Sequence, residues 1–216
     1  MEVLKAYYPE LESIWSRGEK PQDYFGSLKN YRHLVLDLVN EVKVAPAERE
    51  GLAKVLAAGS GGFGTVRVAV LTEDWCGDSA VTLPYVTALF AAVDVEVRVF
   101  RQSVFTDLKQ WYEADGTDHI PAVSVIAEAS QPGPVVELMR WVERPQAGHA
   151  KVEGWLAAHP EMPELRAKKD TDKAASKEYF KLYAALLRDM SGWYRDGLWA
   201  EIGREFSEGL RKVVTQ

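Results

Sequence analysis

The chain holds a single cysteine, Cys76, in the run Glu73-Asp74-Trp75-Cys76-Gly77-Asp78-Ser79. Thiolate is the reactive form of cysteine, so the question is what would stabilise or oppose negative charge on this sulfur. An apolar, β-branched run over residues 66–71 precedes it and a helical pattern over 76–92 follows, which puts Cys76 at a helix N-terminus. Unpaired backbone N–H groups and the positive end of the helix dipole favour an anion there. Ser79 lies about one turn further on, on the same face, and its hydroxyl can donate to the sulfur. Glu73, Asp74 and Asp78 act the other way, because their charges repel a thiolate. The sequence does not sign the balance. The helix terminus and Ser79 carry the expectation that Cys76 alkylates faster at neutral pH than a free cysteine. The alternative is a small buried hydrophobe, the ordinary fate of a lone cysteine.

The other reactive side chains offer less. His119 stands beside Ile120-Pro121 and could counter the acidic cluster as a cation, although such a histidine is more often simply exposed. His33, His149 and His159 show no metal-ligand spacing, and one cysteine can form neither an internal disulfide nor a cysteine-based metal cluster, so no metal and no cofactor is expected. The run Gly59-Ser60-Gly61-Gly62-Phe63-Gly64 lacks a Gly-Lys-Ser/Thr ending and precedes a strand, so it reads as a connector and not as a phosphate loop.

Composition sets the bounds. Of 216 residues, 47% are apolar and 23 are aromatic (seven Trp, nine Tyr, seven Phe), enough for a substantial core and against disorder. A net charge of −6 disfavours nucleic acid as a partner. No apolar run approaches the ~20 residues of a membrane span, and residues 1–9 do not read as a secretory signal. A cytoplasmic protein is expected, and the lack of disulfides fits it.

The elements that must position Cys76 follow from periodicity. Tyr24, Leu28, Tyr31, Val35, Leu38 and Val42 predict one helical face, and Pro46 opens a further helix through Leu52, Val55 and Leu56. Strands are expected at 66–71, 95–99, 122–126 and 135–141, with helices at 76–92, 105–113 and around Val152, Trp155 and Leu156. The turn signal Gln131-Pro132-Gly133-Pro134 implies an antiparallel hairpin. The two helical crossovers imply parallel pairing. The order β-α-β-α-β-β-α gives an α/β fold with a mixed four-stranded sheet flanked by helices; strand order is not fixed. Residues 166–173 read as a charged connector. Two helices follow, one lined by Tyr179, Tyr183, Leu186, Met190 and Trp193, the other by Leu198, Ile202, Phe206 and Leu210.

Within that order, the strand–Trp75-Cys76-Gly77–helix arrangement and Ile120-Pro121 before the third strand resemble thioredoxin. Together with the helical N-terminal segment, Arg140-Trp141, Arg144-Pro145 and the Tyr-rich C-terminal helix, they look like the bacterial thioredoxin-like proteins with a Trp-Cys-Gly-Asp-Cys site. The resemblance implies a thioredoxin-like core over 65–160, with helical extensions at 1–64 and 161–216. It implies Cys76 and Ser79 at the catalytic positions, and Trp75, Gly77, Asp78, Ile120 and Pro121 at the substrate groove, with the Ile120–Pro121 bond cis and facing Cys76. The chain departs from the family at two points. Ser79 replaces the second, resolving cysteine, and Val70 stands where thioredoxin has a buried aspartate.

Two readings follow. In the first, Cys76 performs monothiol thiol–disulfide exchange with a protein or low-molecular-weight partner, and an external thiol resolves the product. In the second, the domain is a non-catalytic binding or scaffold module with an inert Cys76. The helical extensions suit partner contacts, a second copy of the chain included, about as well as they suit catalysis.

Overall fold

A continuous apolar run suits a strand covered on both faces. In the computed structural model, which describes residues 4–59, 63–129 and 134–214, that run is β1 (Phe63–Thr72), whose last six residues, starting with Arg67, include five with exposures of 3% or less. It lies inside a four-stranded sheet of order β2-β1-β3-β4, with β2 at Glu96–Arg101, β3 at Ala122–Ala129 and β4 at Val135–Val142. The turn expected at 131–134 falls, apart from Pro134, outside the described residues, as do Ser60, Gly61 and Gly62 of the glycine connector. The antiparallel pairing of β3 with β4 agrees with a hairpin.

The two crossovers differ. Helix α5 (Gly77–Ala91) links β1 to β2, which pair in parallel as expected. Helix α6 (Thr106–Ala114) links β2 to β3, and here parallel pairing does not occur: β3 lies on the other side of β1 and runs antiparallel to it. The short α6 and the loop after it bring the chain back to the end of the sheet it had just left. Leu71 consequently faces Phe100 on one side and Ala122 on the other. This reversal sets Pro121, just before β3, beside the segment that leads from β1 to Cys76.

Each face of the sheet has its own cover. Ala69, Leu71, Phe100 and Ile126 pack with Tyr7, with Leu11 and Trp15 of α1 (Leu11–Trp15) and with Leu108 and Tyr112 of α6. Helix α5 is apolar nearly all round and largely buried, as a helix enclosed by other elements must be. It packs against α3 (Arg32–Glu41). Phe90 of α5 meets Phe206 of α10 (Trp199–Val214) edge to face, with ring centroids 5.0 Å apart. Trp141 of β4 reaches the same Phe206 and donates Nε1–H to Glu205 at 2.7 Å.

The N-terminal residues reach both outer strands. Ala6 bridges to Val136 of β4, with Tyr7 N–H donating to the Val135 carbonyl at 2.8 Å. Glu19 bridges to Val99 of β2 through two backbone hydrogen bonds of 2.9 Å. The single helix expected through Tyr24 and Val42 is instead two, α2 (Pro21–Ser27) and α3. Leu28 turns extended after Gly26-Ser27, and Tyr31 takes a left-handed conformation (φ 55°) at the start of α3. The apolar stripe carries across the break because Tyr24, Leu28, Val35 and Leu38 are all buried. Helix α4 (Pro46–Gly59) begins at its proline as expected, and Glu48 accepts the Ala45 N–H at 2.8 Å.

By internal packing the chain divides into residues up to Arg144 together with those from Ile202 on, and a second unit, Pro145–Glu201. The second unit holds α7 (Gln146–Ala158), α8 (Met162–Lys168) and α9 (Lys173–Trp193). Residues 166–168, expected in a connector, are the last turn of α8, where Arg166 and Lys168 suit the negative end of the helix. Asp172 then caps α9 by accepting the N–H groups of Ala174 and Ala175. Trp155 stacks on His159 and donates to Asp189 at 2.9 Å, which ties α7 to α9. Among the described residues, no helix is long and apolar enough to cross a membrane.

Candidate active site

Glu73 begins the turn that ends β1: its carbonyl accepts the Cys76 N–H at 3.1 Å. Cys76 is then the N-cap of α5 in an extended conformation (φ −79°, ψ 112°). Its sulfur takes the place a Ser or Asp oxygen usually holds and accepts the Ser79 backbone N–H at 3.4 Å. The thiol proton points the other way and is donated to the Ile120 carbonyl at 3.2 Å. The Ile120–Pro121 bond is cis. The structure therefore brings together Cys76, Gly77, Asp78, Ser79, Ile120 and Pro121.

Trp75 departs from the packing role its type suggests. It is 57% exposed and stands at the rim of the site. Val104, 58% exposed, belongs to a loop tied to the same turn, since Ser103 N–H donates to Glu73 at 3.0 Å. His119 is exposed and pairs with Asp118, so it does not answer the acidic cluster.

Two arginines do, and sequence reasoning missed both. Arg144 grips Asp78 with two hydrogen bonds, Nε–H to Oδ1 at 2.8 Å and Nη2–H to Oδ2 at 2.7 Å. Arg101, at the end of β2, pairs with Asp74 and with Glu19, and donates to the Ser27 hydroxyl at 2.7 Å. Asp74 also accepts the Lys29 N–H at 3.1 Å. For Arg144 there was a signal in the Arg-Pro pair; for Arg101 there was none, because its partners lie far off in sequence.

Burial decides the thiol's charge. Cys76 is 7% exposed, and loss of water pushes its pKa up to about 11, with the charge of Asp78 adding to the rise. The Ser79 hydroxyl and the backbone N–H groups of Ser79 and Asp78 pull the other way and do not overcome it. The helix terminus expected to make Cys76 fast is present, but desolvation outweighs it. A recess beside the thiol is lined by Tyr24, Phe25, Tyr31 and Val35 of the N-terminal helices and by Cys76 and Ser79.

Behind the sulfur lies a buried set of hydroxyls. Ser79 Oγ is 2.6 Å from Thr72 Oγ1, and both residues are 3% exposed or less. Val70, at the position of thioredoxin's buried aspartate, is completely buried and apolar.

No curated protein matches the chain in sequence. Among solved structures it is similar to a Pseudomonas aeruginosa protein of unknown function, at 16% identity and a TM-score of 0.53, with 98% of this chain and 96% of that one covered. An HIV epitope-scaffold superposes with a TM-score of 0.49 at the same identity and coverage. The first likeness shows the fold. A thioredoxin family profile matches residues 18–157, well over half of the sequence and all of the sheet, and the chain belongs to that family.

Proposed function

We propose that this chain is a monothiol member of its family, exchanging disulfides through Cys76 without an internal dithiol cycle. The observation that carries the reading is the setting of the sulfur, which caps α5, accepts the Ser79 N–H and faces the Ile120 carbonyl beside the exposed Trp75. In the forward step the Cys76 thiolate, its proton lost to solvent, attacks one sulfur of a disulfide. A Cys76–sulfur bond forms, the original S–S bond breaks, and the other half leaves as thiolate. Ser79 cannot complete the cycle, because a hydroxyl neither ionises appreciably nor forms a disulfide. An external thiol, from a small molecule or a protein, attacks the mixed disulfide, takes the substrate half into a new disulfide and returns Cys76 as thiol. A bacterial cytoplasm, with its reduced small thiols, would supply it. Incubation with an aromatic disulfide should give one stoichiometric adduct at Cys76 by mass spectrometry, removed by added small thiol. No adduct after full exposure of folded protein would overturn the reading.

One observation favours a second reading, a thioredoxin-fold binding module with an inert cysteine. Burial and Asp78 hold the thiol in its protonated form far above neutral pH. The same incubation separates the two readings, since a module of this kind stays unmodified until it unfolds.

A further inference from the structure

The exchange steps leave one neighbour of Cys76 unused, the bidentate pair between Asp78 and Arg144. Resting on the monothiol reading, we propose that Arg144 is a positioning residue for Cys76: it holds both oxygens of Asp78 and so limits how far that carboxylate opposes the thiolate that attacks the disulfide.

Two negative groups compete for one helix end. Cys76 is the N-cap of α5, and Asp78 is two residues on, in the first turn. The sulfur accepts the Ser79 N–H at 3.4 Å. The same N–H groups and the helix dipole also attract a carboxylate, which is a stronger acceptor than sulfur. An uncompensated Asp78 would meet a thiolate there with like charge. Arg144 fixes the carboxylate instead. Its Nε–H donates to Oδ1 at 2.8 Å and its Nη2–H to Oδ2 at 2.7 Å, so both oxygens are engaged. Little of either side chain is exposed, which limits screening of the pair by salt.

The chain delivers Arg144 from an unusual turn. Glu143, after β4, has a left-handed φ of 66°, uncommon for a residue with a side chain. Across it the Arg144 N–H returns to the Val142 carbonyl at 2.9 Å, which makes a γ-turn. The Glu143 N–H donates to the Pro121 carbonyl at 2.8 Å, and the Glu143 carboxylate accepts Arg144 Nη2–H at 2.6 Å. One dipeptide thus reaches both walls of the site. Its backbone holds Pro121, next to the Ile120 carbonyl that takes the thiol proton, and its guanidinium holds the first turn of α5.

The other titratable groups around the sulfur are engaged elsewhere or uncharged at neutral pH. Glu73 accepts the N–H groups of Asp74 and Ser103, and Asp74 pairs with Arg101. Beyond Ile120, His119 pairs with Asp118. The phenols of Tyr24 and Tyr31 line the recess from the N-terminal helices. After burial, the charge of Asp78 is the next cause of the raised Cys76 pKa, and Arg144 is the cation that answers it.

The test is the rate of Cys76 alkylation by iodoacetamide across pH 7–10. It compares folded wild type with Arg144→Met, Arg144→Lys, Asp78→Asn and the double variant Arg144→Met/Asp78→Asn. At fixed pH, Arg144→Met should be slower by about threefold to tenfold, the size expected of one uncompensated carboxylate beside a partly screened thiolate. Arg144→Lys, which keeps the charge, should fall between Arg144→Met and wild type. Asp78→Asn should run faster than wild type. Adding Arg144→Met to it should change the rate by less than about twofold, because no carboxylate is left to compensate. The direction of the effect separates positioning from bracing. Cys76 is 7% exposed, so a variant that merely loosened the site would open the thiol to reagent and alkylate faster. An unchanged or faster rate in Arg144→Met overturns the proposal, as does equal slowing with and without Asp78→Asn. Should Arg144→Met fail to fold by near-UV circular dichroism, Arg144→Lys must be slower than wild type and Asp78→Asn faster, and any other order overturns it. The disulfide adduct assay separates the two claims. The expected rates without adduct formation remove the exchange reading and leave the role of Arg144 in thiol ionisation standing, whereas adduct formation with unshifted rates does the reverse.

Discussion

Two buried polar networks lie in this molecule, and they end differently. One begins at Tyr7, whose hydroxyl is 2.7 Å from that of Tyr112; Tyr112 meets Ser124 at 2.7 Å, and Ser124 donates to Glu137. Glu137 is gripped through both oxygens by Arg140, which also bonds Asp115 and Thr117 and lies over the rings of Trp111 and Tyr112. The other joins the Thr72 and Ser79 hydroxyls at 2.6 Å and continues through the Ser79 backbone N–H to the neutral thiol of Cys76 at 3.4 Å. The first is closed by opposite charges that saturate each other. The second stops at a group that can still gain a charge. A network ended by an ion pair has one favoured state and stabilises the fold, whereas one ended by a nucleophile keeps a choice of proton direction in reserve.

Three changes would break or sharpen this contrast. The largest effect is expected from Glu137→Leu, which strips Arg140 of its bidentate partner in a site where little of either side chain is exposed. Urea unfolding should show a loss of about 3 to 4 kcal/mol, because the arginine charge is left under-compensated. Next comes pH. The folded thiol titrates near 11 and the unfolded one near 9, so the folded state keeps a proton that the unfolded chain releases. The resulting stabilisation is complete below pH 9 and is lost as pH rises toward 11. Relative to Cys76→Ala, wild type should lose about 2 to 3 kcal/mol across that interval; parallel curves would mean that the thiol is not held neutral by burial. The smallest effect is a matched pair. Tyr112→Phe and Thr72→Val each delete a hydroxyl from one network, and each should cost about 1 kcal/mol in unfolding experiments. Only Thr72→Val should alter the chemistry of Cys76.

What was legible in the sequence was local. Cys76 at a helix start could be read from an apolar run followed by a helical period, and the cis proline from the pair Ile120-Pro121 in its family setting. The parts that failed depend on distance. Nothing in the spacing of residues 102–121 says that α6 returns the chain to the end it left, so the antiparallel course of β3 was hidden. Arg101 and Asp74, or Arg101 and Glu19, meet only because the sheet and the N-terminal segment bring them together, and no short motif marks such pairs. The break at Leu28–Tyr31 was masked because the apolar stripe resumes in phase beyond it. The charge state of Cys76 needed the depth of its burial, which periodicity does not carry.

The two backbone bridges made by the N-terminal segment have a bearing on self-association. An open sheet exposes unpaired N–H and C=O groups on its outer strands, and these invite a strand from another molecule. Here Ala6 sits on β4 and Glu19 sits on β2, so one short stretch of chain, with α1 between its ends, guards both outer strands at once. A second copy that tried to extend the sheet across either bridge would first have to peel that stretch away, together with Tyr7, Leu11 and Trp15 from the core. Joining two copies through helices carries no such cost, and the N-terminal strap thereby acts as a safeguard against edge-to-edge aggregation.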